Sequence, residues 1–197
     1  KRFPGVLALD GVTFSVKKGE IHALVGENGA GKSTLMKILA GAIQPDEGKI
    51  FLHGKETKIP NTHFAKAVGI SIIYQEFNLL PDLTVTQNIF LGQEKNKWGI
   101  FLNYREMIRE ATNLLGEINI YISPTDFIRN LSVAQQQQVE IAKALSTSAE
   151  IVIMDEPTAS LGQNEVENLF KIIKRLKEKG VTVIYISHRL EEIFHIA

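Results

Sequence analysis

The segment Gly26–Thr34, with the sequence GENGAGKST, constrains the fold of this chain more than any other part. It follows the strand-like run EIHALV (20–25) and precedes the helix-like run LMKILAG (35–41). A GxxxxGK[ST] segment between a strand and a helix curls its backbone N–H groups into a concave nest, and the helix N-terminus adds partial positive charge. The segment therefore predicts a phosphate-binding loop for a nucleoside triphosphate.

The residue types in this loop fit that task. Glycine permits the backbone to curl, an amine on a long side chain reaches the β- and γ-phosphates, and a hydroxyl at the helix start is placed for Mg²⁺. Lys32 supplies the amine and Ser33 supplies the hydroxyl. We expect the nucleotide to contact Gly26, Glu27, Asn28, Gly29, Ala30, Gly31, Lys32, Ser33 and Thr34.

A second candidate element is the acidic end of the apolar run EIVIMD (150–155), which closes with Asp155 and continues to Glu156. The carboxyl ends of parallel strands share the edge at which open α/β sheets bind ligands. There Asp155 fits a Mg²⁺ ligand, and Glu156 fits the base that polarises an attacking water. An isolated Asp-Glu pair more commonly caps a strand as solvated charge. The phosphate loop expected at the same edge favours the catalytic interpretation.

Short apolar runs alternate with helix-like segments along the chain. Three of the four runs are almost continuously apolar, as in strands buried on both faces of a parallel sheet; the four are 20–25, 68–74, 150–155 and 181–187. The clearest helix, 163–180, has apolar residues at helical spacing and a stop at Gly180. The pattern predicts an α/β fold with a P-loop nucleoside-triphosphatase core and a mostly parallel sheet.

Two parts of the chain have a different pattern. Residues 1–60 are strand-like with glycine turns, which predicts an N-terminal antiparallel β subdomain, and residues 78–148 read as helices and loops, which predicts an inserted α-helical subdomain. We expect one domain over residues 1–197. Its predicted division is a nucleotide-binding core with the β subdomain (1–77 plus 149–197), a helical subdomain (78–148), and hinges near 76–84 and 120–131.

Composition excludes several function classes. Lys plus Arg and Asp plus Glu both number 22, so the zero formal charge removes the general electrostatic argument for a nucleic-acid partner. Because the chain has no cysteine, a disulfide scaffold or a thiolate metal site is impossible. No apolar run reaches the about 18–20 residues of a membrane span, so a role at a membrane would come through a partner.

Further motifs, in order along the chain, are similar to those of the ATP-binding cassette of ABC transporters. Gln75, after VGISIIY, resembles the Q-loop glutamine, which in that family contacts Mg²⁺ and signals to the membrane subunits. His188, after VTVIYIS, resembles the switch histidine that senses the γ-phosphate, and Phe3 resembles the aromatic that stacks on adenine. Each would ordinarily be a surface or core residue if met alone. The resemblance implies Glu156, His188 and Gln75 as catalytic residues, and Ser33, Gln75 and Asp155 as Mg²⁺ ligands.

The stretch LSVAQQQQVEIAKAL (131–145) lies where the family has its signature motif, usually LSGGQ. In the family, the signature of one cassette contacts the ATP held by a second. The implied contacts across such a dimer are Leu131, Ser132, Val133, Ala134 and Gln135. Ser132 suits a helix N-cap, with amides behind it that suit a phosphate. Val133 and Ala134 replace the two glycines, so we expect them to forfeit a positive φ and the closest approach to ATP.

Longer stretches, such as FPGVLALDGVTFSV (3–16) and IIYQEFNLLPDLTVTQNIFLGQE (72–94), resemble the ATP-binding subunits of bacterial monosaccharide importers of the ribose, galactose and xylose type. The resemblance is to the first of their two cassettes, without its final strands. It implies ATP and Mg²⁺ as cofactors, head-to-tail closure of two cassettes by bound ATP, ATP hydrolysis that releases them, and sugar import. The implied partners are a second cassette, two permease chains and, indirectly, a sugar receptor, with no nucleic acid. The implied location is peripheral, at the cytoplasmic face of the inner membrane.

Alternative functions share many of these motifs. A soluble ABC-type ATPase of translation or DNA repair would have every ATP motif, and an importer ATPase for a non-sugar solute would have the same site. A non-hydrolysing regulator or an unrelated P-loop GTPase or kinase fits the motifs less well. One departure affects any dimer: after DEPTAS the family usually has Leu-Asp, and this chain has Leu161-Gly162. A carboxylate contact between cassettes is thereby lost.

Overall fold

A computed structural model of the chain describes residues 1–27, 29–97 and 101–196. Its elements in chain order are β1 (Arg2–Phe3), β2 (Val6–Leu7), β3 (Ile21–Val25), α1 (Lys32–Leu39), β4 (Phe51–Leu52), β5 (Lys55–Glu56), α2 (Thr62–Ala67), β6 (Ile70–Ile73), α3 (Val85–Ile89), β7 (Asn96–Lys97), β8 (Phe101–Leu102), α4 (Tyr104–Glu117), a 3₁₀ turn (Ile128–Asn130), α5 (Val133–Ser146), β9 (Ile151–Asp155), α6 (Gln163–Glu178), β10 (Thr182–Ser187) and α7 (Leu190–Ile196).

Four strands form the central sheet, in the order β3-β10-β9-β6, and every neighbouring pair is parallel. These are the four apolar runs of the sequence, each shorter than the run by one to three residues. The α/β fold with a parallel sheet is therefore confirmed. Because all four strands run in one direction, their carboxyl ends lie along a single edge.

Helices cover both faces of this sheet. Along β9, Val152 and Met154 belong to one buried cluster, and Ile153 belongs to the cluster on the opposite face. Such alternation between two apolar environments explains why the strands are apolar without interruption. The first face packs against α3, α4, α5 and α6, and the second packs against α1 and α2.

Helix α6 illustrates the agreement between pattern and structure. It buries Leu169, Phe170, Ile173 and Leu176 at helical spacing. The helix ends at Glu178, and Gly180 follows with a φ of +81°, the left-handed conformation that commonly stops a helix. The predicted helix over 163–180 is confirmed within two residues of its end.

The antiparallel part is less extensive than the sequence pattern indicates. It consists of two separate hairpins, β1–β2 and β4–β5, whose strands have two residues each. Both hairpins turn at a glycine with positive φ, Gly5 and Gly54. Closely spaced turns of this kind leave the intervening runs too short for a continuous sheet.

The segment between β6 and β9 contains the expected helices. Its two glycine- and proline-bearing stretches bond to each other, because the backbone N–H of Ile128 donates to the Leu83 carbonyl and that of Val85 donates to the Asp126 carbonyl. Helix α5 also packs against β6, so it belongs partly to the core. A division at 78 and 148 stays a prediction. Within the described ranges, no helix combines the length and apolarity needed to cross a bilayer.

Candidate nucleotide-binding and hydrolysis site

The residues predicted to act on a nucleotide meet at the carboxyl edge of the sheet. The phosphate loop follows β3, the Asp155-Glu156 pair ends β9, and His188 follows β10 directly. Gln75 lies two residues past β6. The strand order thus brings four segments that are far apart in the sequence together along the carboxyl edge of the sheet.

The phosphate loop is held by its own lysine. The Lys32 ammonium donates to the carbonyl oxygens of Gly26 at 2.6 Å and Glu27 at 2.9 Å. Helix α1 begins at Lys32, and within the described part of the loop no side chain caps its first turn. The N–H groups at this helix start are therefore directed at the loop, as an anion site requires. Asn28, a predicted contact, lies outside the described residues.

Gly31 has a steric reason to be glycine. Its φ is +89°, and a Cβ built there would lie 2.3 Å from the Ala8 carbonyl oxygen and 2.9 Å from a Leu9 methyl carbon. The end of the β1–β2 hairpin segment therefore presses directly on the phosphate loop. This contact also brings the hairpin that carries Phe3 to the nucleotide side of the sheet.

A pair of substitutions separates this steric role from conformational preference. Gly29 has a similar φ of +86°, but no described atom lies within 4 Å of its Cβ position. We expect Gly29→Ala to lower the free energy of unfolding by about 1–2 kcal/mol, from left-handed strain alone. Gly31→Ala should lower it by about 2–5 kcal/mol, because overpacking against the Ala8 backbone adds to the strain. Urea titration of both variants measures the difference, and equal losses would contradict the proposed contact.

Asp155 occupies the position expected of a metal ligand. It is half-buried, and burial followed by the charge of the neighbouring Glu156 raises its pKa, against the opposing effects of Lys32 and of the Ser33 hydroxyl. Burial and then the Asp155 carboxylate also raise the pKa of Tyr74, which places the residue before Gln75 close to Asp155.

These groups fit Mg²⁺. Magnesium with a nucleotide takes hard oxygen ligands, often one or two from protein and the rest from phosphate and water. Asp155 supplies a carboxylate, and Ser33 supplies a hydroxyl at the start of α1. Burial first and the Glu156 charge second raise the pKa of Asp155, so its surroundings disfavour its ionised form, and a bound cation would oppose that effect. Over the described ranges, no cluster of three His, Cys, Asp or Glu side chains offers a metal site independent of a nucleotide.

Glu156 and His188 form a contact at this edge. The His188 Nδ1 atom lies 3.1 Å from Glu156 Oε1, and the glutamate side chain is 16% exposed while the histidine side chain is 49% exposed. Glu156 has a left-handed φ of +46°, unusual for this residue type, and its N–H donates to the Ile186 carbonyl. Strained backbone conformations of this kind concentrate at functional sites. The arrangement directs a largely shielded carboxylate towards an accessible imidazole.

The other residues predicted from the resemblance are found in accessible positions. Gln75 is exposed in a bend after β6, so its carboxamide is accessible at the sheet edge. Phe3 lies on β1 with 39% of its surface exposed, and the Lys1 ammonium lies 5.5 Å from its ring centroid. A ring in this position has a face partly available for stacking. The roles of Gln75 and Phe3 stay predictions.

The signature segment forms the start of α5. Ser132 is its N-cap, and a capping box joins Ser132 and Gln135: the Ser132 hydroxyl accepts from the Gln135 N–H, and the Gln135 side chain accepts from the Ser132 N–H. Val133 is exposed, whereas Leu131 is buried in the core with 9% of its surface exposed. The Leu131 side chain thus packs inward, so any contact it makes across a dimer would come from its backbone.

The structure agrees with the expectation that the two substituted signature positions lack a positive φ. Val133 and Ala134 are the first residues of α5, and neither has a positive φ. The helical backbone here does not require glycine, so their substitution leaves the local conformation intact. What the two residues change is the side-chain volume between their amides and a bound phosphate.

Sequence reasoning missed a link between α5 and the segment after Gln75. Glu140 and Lys143 are one turn apart on α5, and together they bind both main-chain polar groups of one residue: the Asn78 N–H donates to Glu140 Oε1 at 2.6 Å, and Lys143 Nζ donates to the Asn78 carbonyl at 2.7 Å. Glu140 is 7% exposed, and burial raises its pKa. The sequence signal that could have indicated this link is Glu140, an acidic residue at a core-facing position of an otherwise apolar helix face.

A parallel sheet with a phosphate loop after its edge strand β3 and a carboxylate pair after β9 defines a P-loop nucleoside-triphosphate-binding protein. The family model described as "ABC transporter" matches residues 9–159. The chain belongs to the ABC transporter family.

Several named relatives are similar to this chain over almost all of its length. A ribose import ATP-binding protein of Rubrobacter xylanophilus is 53% identical over 196 residues, which cover 100% of this chain and 39% of that protein. One of Streptomyces avermitilis is 51% identical over 193 residues, covering 98% of this chain and 37% of that protein. A galactose/methyl galactoside import ATP-binding protein of Clostridium perfringens is 47% identical over 197 residues. The chain therefore spans well under half the length of these relatives.

Solved structures are similar as well. A nucleotide-free ATP-binding cassette from an ABC transporter superposes with a TM-score of 0.88 at 29% identity, over 100% of this chain and 81% of that chain. A dimeric cassette in a post-hydrolysis state, bound to ADP and phosphate, gives a TM-score of 0.77 at 27% identity over 94% of this chain and 82% of that chain.

Proposed function

We propose that this chain is an ATP-binding cassette that hydrolyses ATP to drive the import of a sugar through a membrane transporter. The contact between Glu156 and His188, at the sheet edge that carries the phosphate loop, carries the hydrolysis proposal. The sugar assignment is supported by ribose and galactose import relatives that are about half identical over the full chain.

The chain's own residues account for binding. The loop amides and the α1 N-terminus surround the β- and γ-phosphates, and Lys32 exchanges its loop carbonyls for phosphate oxygens. Ser33 and Asp155 would hold Mg²⁺, and Gln75, in the segment after β6 at the same edge, would add a carboxamide oxygen. Bound Mg²⁺ supplies charge neutralisation at the phosphate oxygens. Phe3 stacks on the base.

Hydrolysis then depends on position and charge. Glu156 accepts a proton from the water that attacks the γ-phosphorus, and His188 holds the Glu156 carboxylate in place from the solvent side. The phosphate leaves with the attacking oxygen, and ADP stays in the loop. No covalent bond to the protein is required. The Glu156 carboxylate contacts His188, while Asp155 ends β9, so the two acidic groups divide the base and ligand roles.

The signature segment requires a second cassette. Ser132 and the amides at the start of α5 suit the γ-phosphate held by another copy or by a second cassette in the same polypeptide. The solved relatives that are dimeric cassettes support this arrangement. ATP would close the pair, and hydrolysis would release it, which is a nucleotide-driven population shift.

The remaining partners follow from import. Two permease chains would carry the sugar, a receptor would deliver it, and this chain would sit on the cytoplasmic face of the inner membrane through the permease. The backbone does not require glycine at position 162. The φ of Gly162 is −75°, which suits any residue, and among the described residues only the Glu165 carboxylate lies within 4 Å of a Cβ built there. We assign looser communication between the two ATP sites to this position.

Growth of a host strain that lacks the gene tests the sugar assignment. We expect it to lose growth on one monosaccharide as sole carbon source, and to recover it with the wild-type gene but not with a Lys32→Ala gene. Uptake of the same radiolabelled sugar should fall at least tenfold. Normal growth and uptake on ribose, galactose and xylose would contradict sugar import. A translation or DNA-damage phenotype instead would favour a soluble ABC ATPase, and loss of another nutrient would favour a non-sugar importer.

A further inference from the structure

A buried carboxylate lies behind the Glu156–His188 contact. Glu192, on α7, has a side chain that is 8% exposed. Its Oε1 atom accepts from the Thr158 hydroxyl at 2.8 Å, and its Oε2 atom accepts from the Tyr185 hydroxyl at 2.9 Å and the Ser187 hydroxyl at 2.8 Å. Arg189 adds a longer contact from Nη1 at 3.4 Å. Three hydroxyl donors therefore converge on one acceptor.

A buried carboxylate is an energetically costly means of holding a helix in place. A buried charge is costly unless it is fully hydrogen-bonded, and apolar residues of similar volume often replace buried ionic groups at no loss of stability. Burial raises the pKa of Tyr185 far above its usual range, so its hydroxyl stays a donor at any physiological pH. Three hydroxyl donors therefore share one carboxylate, and losing that carboxylate removes the acceptor that they have in common.

Two partners of Glu192 lie close in the sequence to Glu156 and to His188, respectively. Thr158 is two residues after Glu156, and Ser187 immediately precedes His188. The Ser187 hydroxyl also accepts from the Arg189 N–H at 3.0 Å, which fixes the residue on the other side of His188. One carboxylate thus joins the loop that carries the base to the loop that carries the histidine.

We propose that Glu192 is a positioning residue for ATP hydrolysis, which holds the Glu156 and His188 segments at the separation that their contact requires. The inference rests on the proposed ATPase function. It assigns Glu192 no contact with the nucleotide, since the side chain is 8% exposed and both of its carboxylate oxygens accept hydrogen bonds from these partners. Its effect therefore falls on turnover and leaves the phosphate loop, which β3 and α1 carry, unchanged.

Glu192→Gln in the complete gene product tests the proposal. The amide keeps the size of the side chain but places an NH₂ group against hydroxyl donors. We expect kcat to fall about 10–100-fold through misplacement of the pair, and KM for ATP to stay within about twofold. Glu191→Gln, the exposed neighbour on the same helix, is the control and should keep wild-type kcat. Normal kcat in Glu192→Gln would overturn the proposal, whereas an inactive wild type would overturn the ATPase function itself.

A second variant separates positioning from a general loss of structure. In a His188→Ala background, followed by single-turnover kinetics, Glu192→Gln should reduce the residual rate less than about twofold, because coupled residues are non-additive. The same fold-loss in both backgrounds would show a structural role only. The imidazole ¹⁵N signals of His188 give a readout independent of turnover: they should shift in Glu192→Gln and not in Glu191→Gln. If Glu192→Gln does not fold, Ser187→Ala removes one donor and must shift the same signals.

Discussion

Replacing Glu156 by Gln should lower ATP hydrolysis by the complete gene product by about 10²–10⁴-fold while ATP still binds. The amide has nearly the same shape, so the packing that leaves the side chain 16% exposed survives. It cannot accept a proton from water, and it removes the negative charge that faces His188 Nδ1 at 3.1 Å. Steady-state phosphate release measures the rate, and equilibrium binding of a fluorescent ATP analogue measures affinity.

Glu178→Gln is the matched control for this experiment. Glu178 is exposed at the end of α6, shortly before β10 begins, so it lies at the opposite edge of the sheet from Glu156. The control should hydrolyse ATP at the wild-type rate. If Glu156→Gln also turned over at near-normal rate, Glu156 could not be the base, and the exposed His188 or a phosphate oxygen would have to take the proton.

Replacing Lys32 by Ala should abolish measurable ATP binding, with affinity reduced on the order of 10²-fold or more. Lys32 places its ammonium over the loop within 2.9 Å of two carbonyls, where a phosphate can replace them. Each hydrogen bond to a charged group contributes about 1.5–3 kcal/mol, and two such bonds to phosphate account for the loss. Isothermal titration with MgATP gives the dissociation constant directly.

Lys37→Ala controls for the removal of positive charge from α1. Lys37 is exposed in the last turn of the same helix, and we expect its loss to change ATP affinity by less than about twofold. Unchanged ATP affinity in Lys32→Ala would contradict the loop assignment. Equal losses in the two variants would mean that the helix acts through overall charge alone.

The sheet and its phosphate loop could be predicted from sequence because their signals are local. Continuous apolar runs, a GxxxxGK[ST] loop and a glycine stop each depend on neighbouring residues, and all three were confirmed in place. The order β3-β10-β9-β6 then follows from tertiary packing, which periodicity does not contain. That order decides which loops become neighbours, and hence that Glu156 contacts His188.

The polar links around the site could not be predicted, because they join residues without a shared motif. Glu140 and Lys143 bind the main-chain N–H and carbonyl of Asn78, and Glu192 accepts hydrogen bonds from three hydroxyl groups of two other segments. In a sequence these residues look like solvated charges on helices. Only burial distinguishes them, and burial depends on the surface that the rest of the chain provides.

The position of β10 between β3 and β9 has a consequence for how the protein forms during synthesis. β3 is made early, yet its hydrogen-bonding partner is β10, close to the end of the described chain, and β6 and β9 pair with each other without it. The ribosome therefore releases the loop-bearing strand long before it can join a sheet, and contacts of such sequence separation form slowly. Until β10 inserts between β3 and β9, the phosphate loop and the Asp155–Glu156 pair are not held at the same sheet edge. We therefore expect ATP to stabilise the domain only after β10 has joined the sheet.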